Sequence, residues 1–247
     1  MKQQKLQDDD DDITTNNNDI TTNWMDHSTN LQATIKQILI QNSIISNPAT
    51  FNDKSSPQYQ ALNWMAYQGG VDTILSTSEQ QATPYIIQRY ILAVLYYSTT
   101  GPKWKKQYNF LTNSMTECDW GVGANNGFNV IDCNNDGFVT LINLWQNNLV
   151  GVIPTELVFL TNCTVLDFLT NRLWGEVPVE ITEMRQLEYL NLGYNQLSGT
   201  VMPEYGNLEN VSECVLFLLF ALGVWIGCVL LLLSLSSSYL CYSCSWS

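Results

Sequence analysis

The chain has 247 residues, of which 45% are hydrophobic and 13% are charged, enough for one or two modest folded domains. Ten basic residues stand against 23 acidic ones, so the chain lacks the clustered basic surface that nucleic acid requires and we expect no nucleic-acid partner. The sequence has one histidine, His27, and shows no phosphate-binding loop, nucleophile elbow, kinase signature or metal-spaced ligand set, which favours a protein that is not an enzyme and uses neither a cofactor nor a metal.

The first 30 residues form a polar leader. They are rich in Asp, Asn, Thr and Gln and include an unbroken acidic run at 8–12. We predict that residues 1–30 are disordered, because they offer too little apolar surface to offset the entropy of ordering. No signal peptide is visible in residues 1–18, which lack an apolar segment.

Residues 31–117 are predicted to be a helical N-terminal region. Apolar side chains recur at helical spacing from the start of this stretch. A second helix is expected to begin at Pro57 and a third at Pro84, since proline suits the first turn of a helix. Glycines at 69–70 and the Gly-Pro pair at 101–102 are expected to end these two helices.

A repeat of 24 residues follows in residues 139–213. Three segments align without gaps and share asparagine and glycine positions. The asparagines are Asn147, Asn171 and Asn195, and the glycines are Gly151, Gly175 and Gly199. A period of this length lies in the leucine-rich-repeat range, and one coil cannot bury its apolar edge alone, so neighbouring coils must stack. The sequence predicts an α/β fold with a short solenoid of about three coils, in which the asparagine side chains form a ladder that satisfies backbone groups at each bend.

Two resemblances can be named from these residues. Residues 118–208 resemble the leucine-rich-repeat ectodomains of plant receptor-like proteins and receptor kinases, through runs such as Asn-Asn-Leu-Val-Gly-Val-Ile-Pro at 147–154. The segments Ser56–Trp64 and Gln88–Ser98 resemble the helical leader of leucine-rich-repeat proteins from diatom-type algae. The first resemblance implies a receptor-like binding protein that takes part in signal transduction through a separate signalling subunit.

The same resemblance implies a disulfide between Cys118 and Cys133. In the plant proteins a cysteine pair at this place holds the N-terminal cap, which here covers residues 118–138. The alternative is a pair of reduced cysteines in a cytosolic chain. Asn162 and Asn210 begin two glycosylation sequons, which matter only if the repeats enter the secretory pathway.

Strand side chains that face away from the core should form a concave strip, which is our candidate ligand-binding surface. Its members are Leu141, Asn143, Trp145, Gln146, Val165, Asp167, Leu169, Thr170, Tyr189, Asn191, Gly193 and Tyr194. This set is unusually apolar and aromatic for an exposed sheet, which favours a protein, peptide or glycan ligand. The alternative is that the leader helices or the C-terminal tail cover the strip.

The C-terminal segment is apolar, and more than one topology is open for it. Residues 214–233 carry no charge and are long enough to cross a lipid bilayer, so we predict a transmembrane helix over 214–235 and a short tail over 236–247. The alternative is a gene-model artefact. A tail anchor would leave the repeats in the cytosol, whereas the cysteine pair favours repeats at the cell surface or in the secretory pathway. No Lys or Arg follows the segment, so the distribution of positive charge does not decide its orientation.

These features predict a membrane-attached, non-enzymatic recognition module that binds its ligand on the concave strip. The alternative from another class is a structural or scaffold protein that assembles through its helical leader and its membrane segment.

Overall fold

The structure is a computed structural model, and it describes residues 17–75, 78–124, 127–200, 203–204, 208, 211, 213–217 and 227–230. The acidic run at 8–12, the sequon at Asn210 and the tail over 236–247 lie outside these residues. Within the described part the chain is an α/β protein in which helices come first and short strands follow.

The N-terminal part is helical. Its helices are α1 (Asn17–Gln41), α2 (Pro57–Tyr67), α3 (Val71–Leu75) and α4 (Glu79–Ser98). α2 begins at the predicted proline, where the side chain of Ser56 accepts a hydrogen bond from the backbone N–H of Tyr59 at 3.0 Å. It packs against both α1 and α4, and these contacts bury the apolar faces of all three helices.

Two helix starts differ from the sequence prediction. Residues 17–30 belong to α1, so the prediction that they are disordered is wrong. Leu31 and the apolar turns after it are anchored in the core, and extending an existing helix is far easier than nucleating one. α4 begins at Glu79 instead of Pro84. The added turn buries Ala82, which helps offset the backbone hydrogen bond that Pro84 cannot donate.

Short strands form the second part. They are β1 (Ile131–Cys133), β2 (Val139–Asn143), β3 (Val150–Gly151), β4 (Val165–Asp167), β5 (Arg172–Glu176), β6 (Tyr189–Asn191), β7 (Gln196–Ser198), β8 (Glu213–Phe217) and β9 (Gly227–Leu230). One sheet has the order β1-β2-β4-β6-β8-β9 and the other has the order β3-β5-β7. In the larger sheet Leu141 pairs with Val165, Val165 with Tyr189, and Tyr189 with Glu213, all in parallel. Residues one period apart in sequence therefore lie side by side.

One apolar core runs from the helices into the repeats. Ile91 and Leu95 of α4 belong to the same buried cluster as Leu144 and Leu149 of the first coil. α4 also packs against the 3-10 turn Thr155–Phe159. The helical part therefore shares one core with the strands that follow it.

Backbone atoms meet closely at this junction. The N–H of Val150 donates to the carbonyl of Thr99 at 3.0 Å, so the chain after α4 adds on to β3. A Cβ atom on Gly151 would lie 1.9 Å from the carbonyl oxygen of Ser98, and the φ of Gly151 is +143°. Only glycine fits this place, because both the space and the backbone conformation exclude a side chain.

The C-terminal segment differs from the prediction where the structure describes it. Residues 213–217 and 227–230 form the antiparallel pair β8 and β9, so a helix is wrong at these residues. The remainder of 214–235 lies outside the described residues. β8 continues the 24-residue register and pairs with β6. Without β8, the backbone N–H and C=O groups along that edge of β6 would have no strand to bond. In the described residues there is no helix of sufficient length and apolarity to cross a membrane.

Candidate functional site

The asparagine ladder shapes the bends that follow β2, β4 and β6 of the larger sheet. The side-chain oxygen of Asn171 accepts from the backbone N–H groups of Asn147 and Leu149, each at 3.0 Å. Its side-chain nitrogen donates to the carbonyls of Leu144 and Phe168 at 2.8 and 2.9 Å. Asn171 is 8% exposed, so protein groups replace water at this bend.

The two other asparagines extend the ladder in both directions. Asn195 accepts from the N–H of Leu173 at 3.0 Å and donates to the carbonyl of Phe168 at 2.9 Å. Asn147 is the first asparagine of the ladder, and its side chain bonds the backbone of Lys106 instead of the backbone of an earlier repeat. The Lys106 N–H donates to the Asn147 side chain at 2.8 Å, and its carbonyl accepts from it at 3.0 Å. The segment after α4 thus closes the ladder at its N-terminal end.

The predicted concave strip lies on the larger sheet next to this ladder. Ten of its twelve residues are half-buried or exposed, and only Asn191 and Gly193 are buried. Trp145 and Leu169 are half-buried, and Tyr194 is 54% exposed. The described leader helices therefore do not bury the strip. Gln146, Thr170 and Tyr194 all have φ between 51° and 56°, so the chain bends in the same way at the rim of each coil.

The central row of the strip is used partly by the backbone. Asn143, Asp167 and Asn191 lie side by side in the sheet. Each accepts, through its side-chain oxygen, a hydrogen bond from the backbone N–H two residues later, at 3.4, 3.0 and 3.2 Å respectively. Such turns are typical of Asn and Asp. These three residues were predicted only as ligand contacts, and their turn-forming role was missed, although the aligned Asn-Asp-Asn pattern indicates it.

Asp167 carries the only negative charge in this row. Its Oδ1 accepts from the Leu169 N–H, and burial raises the pKa of its carboxyl above the ordinary value, against the lowering effect of that hydrogen bond. Val165, on the same strand, and Leu169, two residues after the strand ends, flank it and are likewise half-buried. The strip therefore has an acidic centre within mainly apolar surroundings.

Cys118 and Cys133 form a disulfide that joins the turn before the repeats to β1. β1 pairs with β2 in antiparallel orientation and so covers the first edge of the larger sheet. Asn162 is exposed in the turn before β4. Cys163 next to it is buried, and burial raises the pKa of its thiol to about 12, so it is not a reactive cysteine.

A cavity of about 800 Å3 between the helical region and the cap was not foreseen from the sequence. Arg89 of α4 and Glu117 line it and form a buried ion pair. The Arg89 guanidinium also lies 5.2 and 5.6 Å from the ring centroids of Trp64 and Trp120. These residues are far apart in sequence and belong to no motif, so only the folded chain brings them together. Their contacts fasten α4 to the cap and so hold the first edge of the repeats.

Comparison with known proteins gives partial likenesses. No protein-family model matches the sequence, and no curated protein matches it. Among solved structures, the leucine-rich-repeat (LRR) ectodomain of the receptor kinase SOBIR1 from Arabidopsis thaliana is 30% identical over 30% of this chain and 39% of that one, with a TM-score of 0.28. The LRR ectodomain of the receptor kinase GASSHO1/SCHENGEN3 from Arabidopsis thaliana, in complex with CASPARIAN STRIP INTEGRITY FACTOR 2, is 36% identical over 29% of this chain and 9% of that one, with a TM-score of 0.29.

The BIR2 ectodomain from Arabidopsis thaliana is 26% identical over 46% of this chain and 60% of that one, with a TM-score of 0.36. In each case the chain covers less than two thirds of the other structure, and the TM-scores describe likeness of a segment only. These comparisons do not test the resemblance of the helical leader to diatom-type algal proteins, which stays a prediction. Over part of its length, the chain is similar to the leucine-rich-repeat ectodomains of plant receptors.

Proposed function

We propose that this chain is a non-enzymatic, receptor-like binding protein whose leucine-rich-repeat solenoid takes a protein or peptide ligand on the concave strip. One observation carries the proposal: an apolar and aromatic strip remains half-exposed on a parallel sheet whose bends are fixed by the asparagine ladder. A rigid surface loses little conformational entropy when a ligand binds. Aromatic side chains on such a surface are typical anchors.

Trp145 and Tyr194 are the expected anchors. Trp145 lies on the first coil and Tyr194 on the third, so a ligand that touches both must cross the strip. Replacing an anchor of this kind by alanine costs about 2 kcal/mol or more of binding free energy. We therefore expect the double variant Trp145→Ala/Tyr194→Ala to lose ligand capture.

A random peptide library displayed on phage tests this on the full chain. Peptides should be enriched on the wild-type protein and not on the double variant. Trp174→Ala is the matched control, because Trp174 is 53% exposed but lies on β5 of the other sheet. Equal enrichment on the double variant would overturn the proposal. Self-association that persists in that variant, measured by light scattering, would support the scaffold alternative in its place.

We further propose that the repeats are secreted or displayed at the cell surface, where a signalling role would use a separate subunit. The Cys118–Cys133 disulfide supports this location, because disulfides persist in oxidising compartments. Glycosidase treatment of the protein from a eukaryotic host should increase its gel mobility, and Asn162→Gln should remove part or all of that shift. Attachment through residues 214–233 is not included, since their described parts are strands.

A further inference from the structure

The concave strip carries a charge that the fold does not use, and this charge defines the chemistry of the ligand. Resting on the proposed function, we infer that the strip selects peptides with a lysine or arginine side chain, and that Asp167 is the residue that recognises this cation.

The carboxylate of Asp167 has one oxygen left for a ligand. Oδ1 accepts from the N–H of Leu169 at 3.0 Å. Within the part of the chain that the structure describes, Oδ2 has no hydrogen bond and Asp167 has no ion pair. A half-buried carboxylate without a counter-charge is unfavourable, because it has lost part of its hydration without compensation. A ligand cation that reaches Oδ2 would supply the missing partner.

The surroundings of Asp167 exclude a counter-charge from the strip itself. None of the twelve strip residues is Lys, Arg or His. On the β2 side β4 pairs with Leu141, Ile142 and Asn143, and none of them is charged. On the β6 side β4 pairs with Tyr189, Leu190 and Asn191, of which only Tyr189 is titratable, and it adds no positive charge. Burial raises the pKa of the Asp167 carboxyl, as expected for a carboxylate among apolar groups with no cation nearby.

The fold does not need the charge of Asp167. Asn143 and Asn191 occupy the same position in the neighbouring coils, and their amide oxygens accept the equivalent backbone hydrogen bonds at 3.4 and 3.2 Å. A neutral amide therefore performs the turn-forming role at both adjacent places. What Asp167 adds to this row is a negative charge and a second oxygen acceptor.

The flanking residues fit a long aliphatic stem that ends in a cation. Val165 and Leu169 lie before and after Asp167, and Trp145 lies beside Leu169 in the adjacent coil. Lys and Arg side chains pack their methylene groups on apolar surface and place the charge at its edge. The net charge of −13 also attracts a basic ligand at long range.

The test compares selections on the wild-type protein and on Asp167→Asn. This substitution removes the charge but keeps the oxygen that Asn143 and Asn191 use at the equivalent places, so the fold is preserved. Random dodecapeptides on phage are selected on both proteins and on Trp145→Ala/Tyr194→Ala. Synthetic versions of the enriched peptides, with each Lys or Arg replaced by Gln, are then measured by fluorescence anisotropy.

Wild-type selections should enrich peptides in which one Lys or Arg is flanked by apolar residues, and the Gln versions should bind at least about tenfold more weakly. On Asp167→Asn this preference should disappear, while the Gln peptides bind within about twofold of their wild-type affinity. If peptides selected on the wild-type protein and on Asp167→Asn contained the same fraction of Lys and Arg, the inference would be overturned and the proposed function would stand. No enrichment on the wild-type protein above the double variant would remove the proposed function, and the inference with it.

Discussion

The asparagine ladder predicts an unusually large effect of one small substitution, Asn171→Ala. The change removes an amide that accepts from two backbone N–H groups and donates to three carbonyls, those of Leu144, Phe168 and Leu169. The carbonyl of Leu169 keeps the N–H of Gln146 as a partner. The carbonyl of Phe168 keeps a partner, because Asn195 also donates to it. The N–H groups of Asn147 and Leu149 and the carbonyl of Leu144 lose the side chain that satisfies them.

The magnitude follows from these groups. A buried polar group left without a partner costs about 1 to 3 kcal/mol, and water admitted to the bend recovers part of that loss. We therefore expect Asn171→Ala to lower the free energy of unfolding by about 3 to 5 kcal/mol, at the upper end of point-mutation effects. Asn195→Ala should cost less, because its side chain accepts from one N–H, that of Leu173, within the described structure.

Urea denaturation followed by circular dichroism measures this difference, with the disulfide intact. Asn162→Ala is the matched control, because Asn162 is exposed in a turn, and it should change stability by less than about 0.5 kcal/mol. The urea m-value should stay the same in all variants if the unfolded states are alike. A loss for Asn171→Ala no larger than that of the control would refute the idea that these amides replace water at the bends.

Three further predictions concern the junction, the cap and the strip. Gly151→Ala should lower the free energy of unfolding by about 2 kcal/mol or more, because its Cβ would meet the Ser98 carbonyl at 1.9 Å. Gly123→Ala is the control: Gly123 has φ +64° but open space around it, so the loss should be about 1 kcal/mol. Equal losses of the two variants in urea denaturation would contradict the close approach at Gly151. Replacing both disulfide cysteines by serine should cost about 3 kcal/mol for a loop of 15 residues, seen as a lower Tm that no longer responds to reductant; an unchanged Tm would contradict it. Asp167→Asn should raise the Tm at about pH 7 and leave it unchanged at about pH 3. The pKa of the Asp167 carboxyl in the folded protein lies above the ordinary value of 3.8, so wild-type stability falls as the pH rises from 3.8 through the folded pKa. A lower Tm of the variant at about pH 7 would contradict this sign.

The 24-residue spacing indicated which residues become neighbours in the larger sheet. Asparagines one period apart are linked through Asn171 Oδ1 and the Asn147 N–H, and Leu141, Val165 and Tyr189 stand in register. The repeat period predicts these neighbours because it is the number of residues between equivalent positions of adjacent strands. It does not say which polar side chains face a ligand and which bond their own backbone, so the role of the Asn143 row was missed.

Two errors come from judging a segment by its composition alone. Residues 17–30 are polar, yet α1 continues through them because the helix is already anchored from Leu31 onward. Residues 214–217 are apolar, and hydropathy alone predicts a membrane helix there. The register with β6 instead pairs Leu190 with Cys214, one period further along the chain. Hydropathy cannot distinguish an apolar strand from an apolar helix when the deciding factor is a neighbouring strand edge.

Stability and recognition make separate demands on polar side chains of the same coil, and the structure divides them between neighbouring positions. Asn171 is buried and directs its amide at the backbone, so its loss should weaken the fold without changing which ligands bind. Asp167 lies four residues earlier and half-exposed, with one oxygen committed to the backbone. Asp167→Asn should therefore change which ligands bind without weakening the fold. If Asn171→Ala changed the ligand preference, or if Asp167→Asn lowered the free energy of unfolding, the ladder and the strip would be one coupled unit, and this division between fold and recognition would fail.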